Sequence, residues 1–280
     1  MKNILLTGSG GFIGKHLKKY FTEYNLYAPR SYELNLLDEG AVVSYLAKNK
    51  IEFIVHSASC GVRITPDATI ENVAKPNIEM FDNLVKHMSD CCKMIVLGSG
   101  AEYDKSKPIV NVKEDDFEKS VPQDPYGYSK YVISKKINDC ENILNLRVFG
   151  VYGEGENPSR VTSCILNDII QQKPIELNQN VRFSFIYIDD LCKIIEYFVK
   201  NFPNEKFINA VQPDAITIKE LAELANKVNS GNSSISFKQE GMNKEYTGCN
   251  RKLLQLLKNF EFTSYEKGMR DFYEVLKNES

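Results

Sequence analysis

Apolar residues along this chain fall into two alternating patterns. Short β-rich runs occur at 3–7, 26–28, 53–57, 94–98 and 144–149, and the stretches between them have helical spacing. The segment 39–48 places Ala41, Val42, Tyr45 and Leu46 on one face, and 78–88 does the same with Ile78, Phe81, Leu84 and Val85. Strand and helix in strict alternation predict an α/β fold, a doubly wound parallel sheet of Rossmann type. The rhythm changes after about residue 151. Glu154, Gly155, Glu156, Asn157 and Pro158 read as a loop, 159–172 as a helix and 183–188 as a strand. Thr217-Ile-Lys-Glu220 reads as a capping box opening a helix with Leu221, Leu224, Ala225 and Val228 on its apolar face. With no repeat or long linker, the C-terminal part is expected to be a smaller mixed, largely helical substrate lobe.

Composition narrows the function. The chain has 280 residues, 42% hydrophobic and 26% charged, enough to bury a sizeable core. Its 35 Lys+Arg against 37 Asp+Glu give a net charge of -2, which argues against nucleic acid or an anionic membrane as partner. Seven cysteines, odd in number and without C-x2-C pairs, indicate neither a disulfide framework nor a zinc site. No apolar run approaches the ~18 residues of a membrane span, and the first one is too short for a signal peptide. A cytoplasmic protein with a small-molecule partner is expected.

Thr7-Gly-Ser-Gly-Gly-Phe-Ile-Gly14 sits where the first strand gives way to the first helix. Gly8, Gly11 and Gly14 permit a tight turn and close approach of backbone N–H groups to a diphosphate, with Phe12 and Ile13 at the helix start. Residues 1–155, with 182–202 returning to them, are therefore expected to bind a dinucleotide, and 156–280 to form the substrate-binding lobe. The second strand ends in Arg30, and no Asp or Glu lies between Asn25 and Tyr32. A cation there suits a 2′-phosphate, which favours NADP(H) while leaving NAD(H) open.

Pro125-Tyr-Gly-Tyr-Ser-Lys130 opens another helical pattern, so Tyr126 and Lys130 fall one turn apart on the same face. An ammonium at that position stabilises a phenolate and draws its pKa from ~10 toward the working pH, which makes Tyr126 a usable acid/base.

These segments resemble the extended short-chain dehydrogenase/reductases that act on nucleotide sugars, the NAD-dependent epimerase/dehydratase-like proteins. Further matches are Asn35-Leu-Leu-Asp38, His56-Ser-Ala-Ser59, 99–103, Leu146-Arg-Val-Phe149 with Val151-Tyr-Gly153, Phe185-Ile-Tyr-Ile-Asp-Asp-Leu191 and Glu245-Tyr-Thr-Gly-Cys-Asn250. The resemblance implies that Tyr126 exchanges a proton with the sugar oxygen, Lys130 holds the nicotinamide ribose, and Ser99 hydrogen-bonds the same sugar oxygen. It assigns the pyrophosphate to Gly8, Gly11 and Gly14, the adenine to Asp38, and the cofactor ribose to the backbone of Ser57, Ala58 and Ser59. Glu102, Arg160 and Arg182 are candidate substrate contacts, and a homodimer is the assembly left open.

Departures from the family pattern restrict the chemistry. The dehydratases carry an acidic pair where this chain has Gly100 and Ala101, and the fucose-synthase-like members carry a cysteine at Ala101. Elimination of water and epimerisation beside the ketone are therefore not expected. Asp189 and Asp190 read as N-cap and first-turn charges on a helix over 191–200. His16, His56 and His87 lack partners at ligand spacing, so no metal is expected. The cysteines read as small buried hydrophobes, with Cys60 in a loop near the expected site. The leading expectation is an NADPH-dependent reductase of a nucleotide-linked 4-keto-6-deoxysugar. The alternatives are a 4-epimerase that retains NAD and a cofactor-sensing regulator without turnover.

Overall fold

Each of the five apolar runs of the first half forms a strand. The computed structural model describes residues 1–61 and 66–279. β1 (Asn3–Thr7), α1 (Phe12–Tyr20), β2 (Asn25–Tyr27), α2 (Glu39–Asn49), β3 (Phe53–His56), α3 (Lys75–His87) and β4 (Lys93–Ser99) alternate. β5 (Ile109–Val112), α4 (Pro125–Ile137), β6 (Ile143–Val148), β7 (Gly150–Tyr152), α5 (Val161–Ile170), β8 (Ile175–Leu177), β9 (Arg182–Phe183), β10 (Phe185–Tyr187) and α6 (Ile188–Lys200) follow. The chain ends with β11 (Phe207–Ala210), β12 (Ile216–Thr217), α7 (Ile218–Val228), β13 (Ile235–Phe237), β14 (Tyr246–Gly248), α8 (Arg251–Leu256) and α9 (Tyr265–Glu279).

The first compact unit comprises Met1–Ser106, Glu114–Val148 and Cys192–Asn209. Its six-stranded sheet has the order β11-β6-β4-β3-β1-β2, and the five strands from β6 to β2 run parallel. Interior parallel strands are covered on both faces, which is why Ile4, Leu5 and Leu6 form a continuous run with no exposure. On one face Leu5, Ile54, Met94 and Val96 pack with Phe81 and Leu84 of α3 and Ile133 and Ile137 of α4. Helix starts follow local chemistry: Asp38 caps α2 by accepting from Ala41 N (3.0 Å), and Asp124 caps α4 by accepting from Gly127 N (2.9 Å), with Pro125 in the first turn. The chain leaves β1 for β2 on one side and returns through β3 on the other, so the order reverses at β1/β3. Thr7 there pairs with His56, and the carboxyl ends of both strands meet. In doubly wound sheets this switch point is the binding crevice.

The second unit comprises Lys107–Lys113, Phe149–Leu191 and the chain from Ala210 onward. It holds a four-stranded sheet of order β12-β9-β14-β5, the pairs β10-β7 and β13-β8, and helices α5, α7, α8 and α9. The capping box at α7 forms as expected, with Glu220 N donating to Thr217 Oγ1 (3.1 Å) and Thr217 N to Glu220 Oε2 (2.8 Å). The single strand expected over 183–188 is two strands in two different sheets. Buried Ser184 separates them: its N donates to Tyr246 O, its carbonyl accepts from Gly150 N, and its Oγ accepts from Gly248 N. Among the described residues no helix is long and apolar enough to cross a membrane.

Candidate active site

The glycine-rich turn has the close contacts that its composition requires. Gly8 has φ +69° and lies against the chain after β3, where a Cβ would fall 2.6 Å from Ala58 N. A Cβ on Gly14 would fall 2.2 Å from Gly8 O. No side chain caps α1, whose N-cap is Gly11, so its first-turn amides remain open to an anion. A site for a dinucleotide pyrophosphate fits these features. Ser9, buried beneath the turn, donates to Ala28 O (2.9 Å) or Pro29 O (3.0 Å) and ties the turn to the end of β2. That anchoring brings Arg30 onto the turn, where a Cβ on Gly10 would meet its guanidinium carbon at 2.5 Å. Gly10 was not singled out by spacing, yet it makes room for the cation. A carboxylate also enters: Arg30 N donates to Glu33 Oε2 at 2.7 Å, through a turn that the sequence window 25–32 does not reach. Asp38 is exposed, and its Oδ1 is engaged in capping α2.

The backbone of Ser57, Ala58 and Ser59 borders Gly8, held from two sides. Thr7 Oγ1 accepts from Ala58 N (3.2 Å) and lies 2.9 Å from His56 Nδ1. Burial first, and then the nearby Lys130 ammonium, pull the His56 imidazole down to about 3, so the ring is neutral at working pH. Asn77, 2% exposed on α3, accepts from Cys60 N (2.7 Å) and donates to Cys60 O (3.0 Å) and to Ser129 Oγ of α4 (3.2 Å). Ser129 in turn donates to Tyr126 O (2.7 Å). Sequence reasoning missed this strut between the loop after β3 and the helix bearing the Tyr-Lys pair, because its partners are remote in the chain.

Tyr126 and Lys130 lie in the first turns of α4, with the Lys130 ammonium 5.7 Å from the Tyr126 ring centre. Lys130 is 4% exposed and donates to Leu97 O at 2.8 Å. Burial pulls its ammonium down to about 8, against the Glu102 carboxylate, which acts to raise it. Lys105 adds a second cation 6.0 Å from the Tyr126 ring centre and 3.6 Å from Asp124. Ser99 ends β4 and caps a 3-10 turn (Gly100–Tyr103), with its Oγ accepting from Ala101 N (3.1 Å). Gly127 brings that turn and α4 together: a Cβ on it would come within 2.9 Å of Ala101 O.

Glu102 does not stand ready for substrate, as the sequence led us to expect. It is fully buried, with Oε1 accepting from Ser99 N (2.9 Å) and Oε2 paired with Arg147 Nε at 2.7 Å. Its carboxylate also takes bonds from Ser134 and Asn145. Burying a carboxylate requires such a partner set.

In the second unit, exposed Arg182 lines a cleft of ≈ 260 Å³ with Asn111, Asp214, Glu245 and Thr247. Exposed Arg160 is the N-cap residue of α5 and makes no side-chain capping bond there. Glu156 supplies the polar partner instead: its buried carboxylate accepts from the hydroxyls of Thr162 and Ser163. Burial pushes Glu156 up to about 7, against those hydrogen bonds, the Arg160 charge and Ser163 N–H. Asp189 and Asp190 are first-turn residues of α6, but the helix starts at Ile188, so neither is its N-cap. Asp190 is fully buried and accepts from Thr263 N (2.6 Å) and Thr263 Oγ1 (3.0 Å), a long-range tie that local spacing does not reveal. Of the cysteines read as small buried hydrophobes, Cys92 and Cys192 are buried, Cys140, Cys164 and Cys249 are half-buried and Cys91 is exposed, while Cys60, placed in a loop by the sequence, is exposed as well.

Comparison with known proteins completes the picture. GDP-L-colitose synthase of Yersinia pseudotuberculosis is 28% identical over 256 residues, spanning 80% of this chain and 81% of that protein. dTDP-4-dehydro-6-deoxyglucose reductase of Escherichia coli is 26% identical over 267 residues, 79% of each. The solved structure of GDP-mannoheptose C4 reductase from Campylobacter jejuni, with NADP bound, superposes with a TM-score of 0.83 at 18% identity, covering 99% of this chain and 98% of that one. The profile of the NAD dependent epimerase/dehydratase family matches residues 4–210, from β1 to β11. The chain therefore belongs to the NAD dependent epimerase/dehydratase family and is an NAD(P)-dependent enzyme of the extended short-chain dehydrogenase/reductase type.

Proposed function

We propose that this enzyme is an NADPH-dependent reductase of a nucleotide-linked 4-keto-6-deoxysugar, acting at C4. The observation that carries the reading is the make-up of the turn after β4. It carries the Ser99 hydroxyl but no available acid: Gly100 and Ala101 have no titratable side chain, and the carboxylate of Glu102 is committed inside the protein. Ketone reduction needs a single proton, and elimination needs a further acid/base group. The turn of Gly8, Gly11 and Gly14, with Phe12, Ile13 and the 57–59 backbone, would hold the cofactor, and Arg30 would hold its 2′-phosphate. When bound, the nicotinamide supplies the reducing equivalent. Tyr126 gives its hydroxyl proton to the sugar oxygen, and Ser99 donates a hydrogen bond to the same oxygen as charge develops there. An ammonium at Lys130 stabilises the phenolate left behind. The names of the E. coli and C. jejuni proteins, both reductases, support this reading.

A second reading, a 4-epimerase that keeps NAD, draws on the Glu33 carboxylate beside Arg30, since an acidic group there suits an unmodified ribose. The test is to supply nucleoside-diphosphate hexoses and, separately, their 4-keto-6-deoxy forms, each with NADPH. Consumption of NADPH with the keto sugars alone is expected, whereas a 4-keto-6-deoxy product from an unmodified hexose overturns the reading. Nucleotide released by denaturing the purified protein separates the alternative: retained NAD identifies the epimerase.

A further inference from the structure

Beneath the turn that carries Ser99, three elements of the first unit converge on one buried ion pair. Glu102 comes from the turn, Arg147 from β6 and Ser134 from α4, one turn beyond Lys130. Arg147 is a fully buried cation in a family whose substrates are anionic, yet it faces inward. Its guanidinium lies 4.6 Å from the ring centres of both Phe117 and Phe207, and its Nη1 donates to Tyr103 OH (2.9 Å) and Glu114 O (3.2 Å). The clamp therefore fixes Glu102 from several directions. What Glu102 holds in return is Ser99: Oε1 accepts Ser99 N, and with that amide pinned, Ser99 Oγ accepts from Ala101 N. A hydroxyl that accepts from the backbone behind it keeps its own proton for a partner in front. Gly98 completes the fit, because a Cβ there would fall 2.0 Å from Asn145 Oδ1 and 2.5 Å from Glu102 Oε1, so the strand end rests directly on the network.

We propose that Glu102, clamped by Arg147, is the positioning residue that aims the Ser99 hydroxyl for the reaction, through its hydrogen bond to Ser99 N. A buried ion pair adds little net stability compared with apolar groups of the same volume, whereas removing one partner is costly. Keeping Glu102 and Arg147 in place of apolar side chains is thus explained by geometry at Ser99. The inference rests on the reductase reading, in which Ser99 donates to the sugar oxygen.

The experiment compares two variants in which no charge is left unpaired. Glu102→Leu/Arg147→Met removes the acceptor for Ser99 N, and Glu102→Gln/Arg147→Met keeps it. Ser99→Ala is then added to each and to the wild type. The proposal expects Ser99→Ala to lower kcat at least about tenfold in the wild type and the Gln variant, but less than about threefold in the Leu variant, where the hydroxyl is already misaimed. KM for the keto sugar should change little. Amide exchange over 98–104 should be faster in the Leu variant than in the Gln variant, a readout that needs no turnover. An equal Ser99→Ala effect in the Leu variant and the wild type overturns the proposal. If the Leu variant does not fold, the Gln variant decides: a Ser99→Ala effect of full size supports the acceptor role, and its loss overturns it. A wild type indifferent to Ser99→Ala would instead overturn the role of Ser99 in the reductase reading. Exchange over 98–104 would then decide for Glu102 alone, with equal rates in the two variants counting against it.

Discussion

At the scale of single residues, two side chains make opposite use of charge. Arg30 lies over Gly10, while Glu33 holds its backbone. Arg30→Asp is expected to weaken NADPH binding by about tenfold or more and NADH binding far less, since a charge-assisted contact becomes repulsion. Fluorescence titration with both nucleotides checks this, and equal losses would remove Arg30 from the 2′-phosphate. Glu156 is a carboxylic acid whose folded-state pKa is raised to about 7 by burial. The folded protein binds this proton more tightly than the unfolded chain does, so the group's contribution to stability is fully present below its ordinary value near ~4.3 and is lost as pH rises through about 7. Glu156→Gln keeps an acceptor for Thr162 and Ser163 and removes the ionisation. It should gain stability relative to the wild type at pH 8, on the order of 1 to 3 kcal/mol, and show a smaller gain at pH 5. Chemical denaturation at both values tests the sign. The residues proposed to carry the chemistry could be singled out in the sequence because Tyr126, Lys130 and the glycines stand at fixed spacing. Glu102 was not: its role is set by Arg147, on the neighbouring strand and far along the chain.

Among the elements, the strands of the first sheet were readable because buried parallel strands are apolar throughout, and α2, α3 and α7 because their apolar faces recur at helical spacing. The break at Ser184 was not readable, since β9 and β10 are continuous in pattern and are separated only by which partners their backbones find. The same limit hid Asn77, whose amide stands in for a backbone partner to Cys60 and reaches α4 through Ser129. Asn77→Leu removes the acceptor of Cys60 N–H and leaves Cys60 C=O with the Ser59 hydroxyl alone. It is expected to lower unfolding free energy by about 1 kcal/mol, the net worth of partly buried hydrogen bonds. It should also lower kcat, because the loop after β3 and the first turn of α4 lose their tie. Urea titration alongside steady-state kinetics checks both; full stability with normal kcat would show the strut to be dispensable.

For the molecule as a whole, the residues proposed to hold the cofactor come from four separate stretches of the first unit: 8–14, 30–38, 57–59 and Lys130. A ligand that gathers distant stretches stabilises the folded chain by mass action, about 2.7 kcal/mol at a hundredfold excess over Kd. The thermal midpoint should therefore climb with NADPH concentration, with added exchange protection at 8–14 and 57–60. A midpoint indifferent to NADPH would count against this arrangement. The sheet order has a consequence for the chain's birth. β11 closes the sheet against β6, yet it is not made until the ribosome has moved on from residue 148 to 207. At about 5–20 residues per second that interval lasts several seconds. Throughout it, the backbone edge of β6, with Ile143, Leu144 and Leu146 along it, is a nascent strand awaiting its neighbour. An unpaired edge is a template for aggregation, so a holding chaperone would have something to protect in that interval. A gene cut near codon 148 prolongs the same exposure indefinitely.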